Sequence, residues 1–218
     1  MAQPTGFHPG FRDTATLIED ATIALVRRQG WAATTVEQIC RTAGVTKGAF
    51  FHHFGSKEEV GVAAARRWGE VTSALFLSAD YRHIEDPLER IHAYLDLRGK
   101  LAEGPLEDIT CFAGTTIQET FATSDRIRVA AGRTIEGHLE LLAEDFRAAI
   151  DRYRPREPVT AEDLALYTQT VLQGAFVLAK ARSSTQPVHA ALVHLKRYLA
   201  LLFGTPVPEA ASHPTEEK

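Results

Sequence analysis

The sequence predicts an all-α protein: a small N-terminal three-helix helix-turn-helix unit followed by a larger helical domain. Three observations predict it. Apolar residues recur at helical spacing along most of the 218-residue chain, with no convincing strand alternation and no internal repeat. Most of these segments open on a capping residue and close at a glycine or proline. The stretch Thr35 to Phe54, TVEQICRTAGVTKGAFFHHF, has the form of two short helices around a tight turn. The expected organisation is a flexible arm over 1–12, the helix-turn-helix domain over 13–57, a larger helical domain over 58–204, and a disordered tail over 205–218.

Taken in order, Asp13 or Thr14 caps a first helix running to Gln29, with Leu17, Ile18, Ala21, Leu25 and Val26 on its apolar stripe and Gly30 closing it. Trp31 is expected to plug the small core made with the next two helices. Thr35 caps the second helix, with Gln38 placed as in a capping box; Val36, Ile39, Cys40 and Ala43 form one face. Gly44 suits the left-handed position that ends a helix. Thr46 opens the third, which sends Ala49, Phe50 and Phe54 to a core and Lys47, Gly48, Phe51, His52 and His53 elsewhere. Ser56 caps a fourth helix to about Ser78, carrying Val60, Ala64, Trp68, Val71, Leu75 and Phe76.

Asp86-Pro87 starts a helix with Leu88, Ile91, Tyr94, Leu95 and Leu101 turned inward, broken at Gly104-Pro105. The run ITCFAGTTIQETFA reads as a helix buried on most sides. Ser124 and Asp125 open a long helix to about Tyr153, with Ile127, Val129, Ile135, Leu139, Leu142, Phe146 and Ile150 as its stripe. Thr160 and Pro187 mark the last two helices, whose apolar residues cover more than one side. Such surface must be covered, and two helices from each of two chains would cover it.

The order of the second and third helices is a helix-turn-helix, whose second helix can enter a major groove. Gly48 is informative there, since a mid-helix glycine costs stability unless packing or docking requires it. A plain helical corner would share the spacing. The net charge of -4 weighs against nucleic-acid binding as a whole-chain property, but such binding needs only a local basic surface. No apolar run is long enough to span a membrane, and no signal peptide is expected. Cys40 and Cys111 sit in helical patterns and predict no disulfide framework, so a reducing, cytoplasmic setting fits.

The segment TTVEQICRTAGVTKGAFFHHFGSKEEV, preceded by RRQGW, resembles the tetracycline-repressor-like (TetR) family of bacterial transcriptional regulators. The cap threonine, the AGV turn, the KG pair, the aromatic-His-Phe run and the SKEE restart occur together. The resemblance implies a ligand-responsive repressor that binds an inverted-repeat operator in double-stranded DNA as a homodimer joined through its last two helices. It further implies that Thr35 and Lys57 contact phosphates, that Thr46, Lys47 and Gly48 face the groove, and that His52 and His53 lie at its edge. The family commonly has tyrosine where this chain has Phe51, which offers apolar contact to a sugar or thymine methyl instead of a phosphate-binding hydroxyl. Lys47 is the one long donor on the reading helix, so DNA shape is expected to carry part of the specificity. Arg12 and Arg41 read equally as phosphate contacts or solvated charges.

An effector pocket is expected among the helices from 60 to 180, with Phe76, Tyr94, Cys111, Phe112, Thr115, Tyr167 and Phe176 as candidate lining residues, each of which also reads as plain core. These aromatics predict an apolar or aromatic effector. Cys111 has a second reading: some regulators of this family place a cysteine at the start of this helix and use it to sense electrophiles or oxidants. No cofactor or metal is expected. His52 and His53 are adjacent and do not aim at one point, and no phosphate loop, nucleotide fingerprint or nucleophile elbow is present. A helical carrier or enzyme would need a polar cluster in the larger domain, and the sequence presents none. An adaptor using the final helices is less economical than homodimerisation.

Overall fold

The computed structural model describes residues 13–206. The expected arm over 1–12, including Arg12, and the expected tail from residue 207 on lie outside the described residues. The described residues form helices α1 (Thr14–Gln29), α2 (Val36–Ala43), α3 (Lys47–His53), α4 (Lys57–Leu77), a 3-10 turn (Asp80–His83), α5 (Pro87–Leu101), a single turn α6 (Leu106–Ile109), α7 (Phe112–Thr120), α8 (Asp125–Tyr153), α9 (Ala161–Arg182) and α10 (Gln186–Phe203), with no strand among them. They divide into two compact units. One takes the chain through Glu70 together with Phe112–Gly132; the other takes Val71–Cys111 and the chain from Arg133 on. Two of the divisions fall inside α4 and α8, and the third lies immediately before α7.

In the first unit, Ile18, Ala21 and Leu25 of α1, Ile39 and Cys40 of α2, Phe50 and Phe54 of the α3 end, and Val60 and Ala63 of α4 bury one core. The returning segment is fastened to the turn after α1 and to α4 at separate points. The Ala32 N–H donates to Glu119 Oε2 at 2.7 Å. Glu58 accepts from Ser124 Oγ (2.6 Å) and from Arg126 (3.0 Å). Trp68 of α4 packs on Phe112, ring centroids 6.1 Å apart, with the Arg27 guanidinium 5.0 Å from its ring. Gly61 allows the closest approach: a Cβ there would stand 2.6 Å from Trp31 and 2.9 Å from Ile127. Trp31 therefore differs from expectation. It is half-buried against α4 and lies outside the α1–α2–α3 core, because the left-handed Gly30 (φ 88) redirects the chain after α1.

The second unit is built on a larger core that includes Ile91, Tyr94, Leu95, Leu142, Phe146, Leu172 and Leu199. Asp145 of α8 is buried and accepts from Arg82 and Arg90, each at 2.7 Å, while Arg90 also donates to the Ile84 carbonyl. One carboxylate thus joins α8 to the 3-10 turn and α5. Asp86 caps α5 through the Leu88 and Glu89 N–H groups and accepts from Tyr153 Oη at 2.6 Å. Three inward expectations are corrected. Leu75 and Val129 lie one step around their helices from the buried Phe76 and Ala130, and Ala102 takes the buried place expected of Leu101; all three leucine and valine side chains are exposed. The helix expected from Ile109 is divided as well: Thr110 is extended (ψ 153), so α6 stops and α7 restarts at Phe112.

Removing a partner from a buried ion network strands its counter-charges, at about 3–5 kcal/mol. Asp145→Ala is therefore expected to lower the unfolding free energy by about 3 kcal/mol, measured by urea denaturation, while Arg147→Ala, in the exposed pair with Glu162, leaves it nearly unchanged. An unshifted midpoint for Asp145→Ala would contradict this account of the second unit.

Candidate nucleic-acid interface

The reading head is assembled from local caps. Thr35 Oγ1 accepts from the Gln38 N–H (3.2 Å), and Gln38 Oε1 accepts from the Thr35 N–H (2.8 Å), a complete capping box. Gly44 stands at φ 70, ψ 29, the left-handed geometry that lets the chain turn sharply between α2 and α3. Thr46 caps α3 by accepting from the Ala49 N–H at 3.1 Å. A threonine hydroxyl that accepts at a cap keeps its own O–H to donate outward, so the exposed Thr46 retains a donor for a phosphate or base edge, while that of the exposed Thr35 turns to the Glu37 carboxyl.

Phe50 is fully buried and Phe54 nearly so, which fixes the rotation of α3 about its axis. At helical spacing, Gly48 and His52 lie opposite these two rings and Phe51 and His53 flank them, while Lys47 stands at the first position of the helix; all five are exposed. Phe51 touches Phe50 edge-on, ring centroids 5.2 Å apart, and keeps 54% of its surface exposed. A Cβ added at Gly48 would meet only Thr46 Oγ1, at 3.7 Å. No packing within the described chain requires that glycine.

Lys47 pairs with Glu37 of α2, both exposed, and that hydrogen bond holds the Glu37 carboxyl below its usual range. Surface pairs of this kind are weak and exchangeable, so a phosphate can take the ammonium. Lys57 differs from expectation. Its ammonium donates to the Trp31 carbonyl at 2.7 Å and lies 4.3 Å from the Trp31 ring centroid, and burial lowers its pKa. The group expected at a phosphate is turned inward, where it ties α4 to the turn after α1.

Comparison with known proteins agrees with this geometry. The family model of bacterial regulatory proteins, tetR family, matches residues 18–64, and the model of the C-terminal domain of LmrA/YxaF-like transcriptional regulators matches residues 87–194. The chain belongs to the TetR family. It is a DNA-binding transcriptional regulator whose helix-turn-helix is α2 and α3. The HTH-type transcriptional repressor NemR of Escherichia coli is 28% identical over 188 residues, covering 81% of this chain and 88% of NemR. The repressor AcnR of Corynebacterium efficiens is 29% identical over 162 residues, covering 72% and 77%. A solved TetR transcriptional regulator from Chloroflexus aurantiacus superposes with a TM-score of 0.75 at 27% identity, covering 86% of this chain and 94% of that one.

Within this TetR-family chain the residues expected to line an effector pocket separate. Phe76, Tyr94 and Phe176 come together in the second unit around Arg98, whose guanidinium carbon lies 5.5, 6.0 and 5.6 Å from their ring centroids. Tyr94 Oη is 2.8 Å from His138 Nε2, and the His138 ring is 4.6 Å from that of Phe76. Burial, then the Arg98 charge, pushes the His138 pKa from 6.5 down to about 3, and burial raises that of Tyr94, so both are neutral at neutral pH. Sequence reading missed Arg98 and His138. The signals were present: Arg98 is four residues after Tyr94 on one helix face, and His138 sits between Ile135 and Leu142 on an apolar stripe.

The other candidates lie elsewhere. Phe112 and Thr115 belong to the first unit, Phe112 buried against Trp68. Tyr167 is corrected: α9 buries Leu164, Ala165, Thr168 and Leu172, which turns Tyr167 to the outside, edge-on to Tyr198 at 5.2 Å. Cys111 is half-buried, packed beside the second core immediately before α7, and Cys40 is buried with its thiol pKa raised by that burial. Among the described residues no group of three or more His, Cys, Asp or Glu could hold a metal ion.

The two lysines are expected to separate in their effects. Lys47→Ala should weaken duplex binding and lower the salt slope by about 1, with the thermal midpoint unchanged. Lys57→Met should lower the midpoint by roughly 2–4 °C and leave the salt slope as it is. Fluorescence anisotropy over a salt series, with thermal melts beside it, reads both; interchange of the two patterns would contradict these placements.

Proposed function

We propose that this chain is a cytoplasmic transcriptional repressor that binds an inverted-repeat operator as a homodimer and releases it when a small molecule binds in the larger helical domain. The observation that carries the reading is α3, which holds Phe50 in the core and presents Thr46, Lys47, Gly48, Phe51 and His52 to solvent beside a turn built for close approach. The repressor sense is supported by the relatives NemR and AcnR, both named transcriptional repressors.

The dimer reading is supported by the outer faces of α9 and α10, where Leu166, Val177, Leu178 and Leu201 are more than half exposed. Exposed apolar side chains gathered on two neighbouring helices favour an interaction surface, and a second copy offers the same surface to it. For the effector, the cluster of Phe76, Tyr94 and Phe176 supports a ligand with an aromatic or apolar body.

The test uses fragments of genomic DNA retained by the purified protein, placed before a reporter gene. Co-expression of the chain is expected to silence the reporter. Leu201→Glu is expected to sediment as a monomer and to lose both retention and silencing. Raised reporter expression would contradict the repressor sense, and a Leu201→Glu dimer with full activity would contradict the proposed interface.

A further inference from the structure

Four lysine or arginine residues among the described residues of the second unit are half-buried: Arg82, Arg90, Arg98 and Lys196. Arg82 and Arg90 meet the buried Asp145 carboxylate, and Lys196 meets Asp96. Arg98 has no such partner among the described residues. Its guanidinium faces the rings of Phe76, Tyr94 and Phe176 and donates one long hydrogen bond, 3.5 Å, to Tyr94 Oη. Aromatic faces attract a cation through their quadrupoles, but they carry no net charge and leave it uncompensated. The nearest titratable neighbours cannot supply the missing charge either: His138 and Tyr94 are both neutral.

We propose that Arg98 is the anchor for an anionic effector, a small organic carboxylate whose aromatic or apolar body lies against Phe76, Tyr94 and Phe176. This rests on the reading of the chain as effector-controlled. The planar guanidinium fork matches a carboxylate in two-point geometry, which a point-like ammonium does not. The buried Phe76, Tyr94 and Phe176 rings form the apolar wall beside it, against which the ligand's remainder would lie. The Tyr94 hydroxyl, accepting from Arg98 and lying 2.8 Å from His138 Nε2, holds the fork in place from the protein side. Selectivity follows from charge: a neutral amide of the same shape leaves the guanidinium without a counter-ion.

Calorimetry and thermal melts on the full chain without DNA test this, using benzoate, phenylacetate and cinnamate, each against its primary amide. At least one acid is expected to bind saturably and raise the melting midpoint, with its amide about 10- to 100-fold weaker. Arg98→Met should bring the acid down to the level of the amide. Arg98→Lys, which keeps the charge and loses the fork, should fall between the two and guards against misfolding of the first variant. Absence of binding by all three acids, equal binding of acid and amide, or undiminished acid binding by Arg98→Met would each overturn the assignment. Loss of operator binding would instead remove the repressor reading and leave this result untouched, since no DNA enters the assay.

Discussion

Burial of Phe50 sets everything the reading head can do. A helix of seven residues does not persist alone, because nucleation costs more than so few hydrogen bonds return. α3 exists because Phe50 and, one turn on, Phe54 are fixed in the core with Ile18, Leu25 and Ile39. Once those two positions are fixed, the helical period leaves no choice about the rest. Gly48 and His52 must point away from the protein with Phe51 and His53 beside them, and the Thr46 cap and Lys47 must lie at the leading end. The sharp turn at Gly44 then holds α2 close enough for Glu37 to reach Lys47.

The same unit also contains residues far away in sequence. Glu119 reaches the turn after α1, and Glu58 is held by Ser124 and Arg126. Trp31 fits against Gly61 and Ile127 only because Gly61 has no side chain. These contacts make α7 and the start of α8 part of the body that carries the reading helix. The Lys57 ammonium, by bonding the Trp31 carbonyl, belongs to that fastening. Its position at the start of α4 resembles a phosphate contact in sequence and serves the fold in structure.

Local features were legible in the sequence, and long-range ones were not. The caps at Asp13, Thr35, Thr46, Asp86 and Thr160 are decided within a few residues, and each holds the hydrogen bond its residue type predicts. The all-helical class follows from the same short-range periodicity and is the architecture of the TetR relatives. Trp31 was misplaced because its neighbours Gly61 and Ile127 lie 30 and 96 residues away, and no periodicity reports such a contact. Leu75, Leu101 and Val129 were drawn inward because an apolar residue beside a buried one fits a wide stripe equally well. Arg98 and His138 were overlooked because polar residues on apolar faces read as solvated until their surroundings are known. The candidate site of the second unit thus became visible only when aromatic residues from α4, α5 and α9 were seen around one charge.

The central claim is that α3, carried on a two-fold dimer, reads DNA sequence. Selection of bound duplexes from a random library by the purified protein, at fixed salt, tests it most directly. The account predicts an enriched inverted repeat whose half-sites are spaced by about one helical turn or a multiple of it. Enrichment of a single unrepeated site, or retention of all duplexes alike, would contradict it.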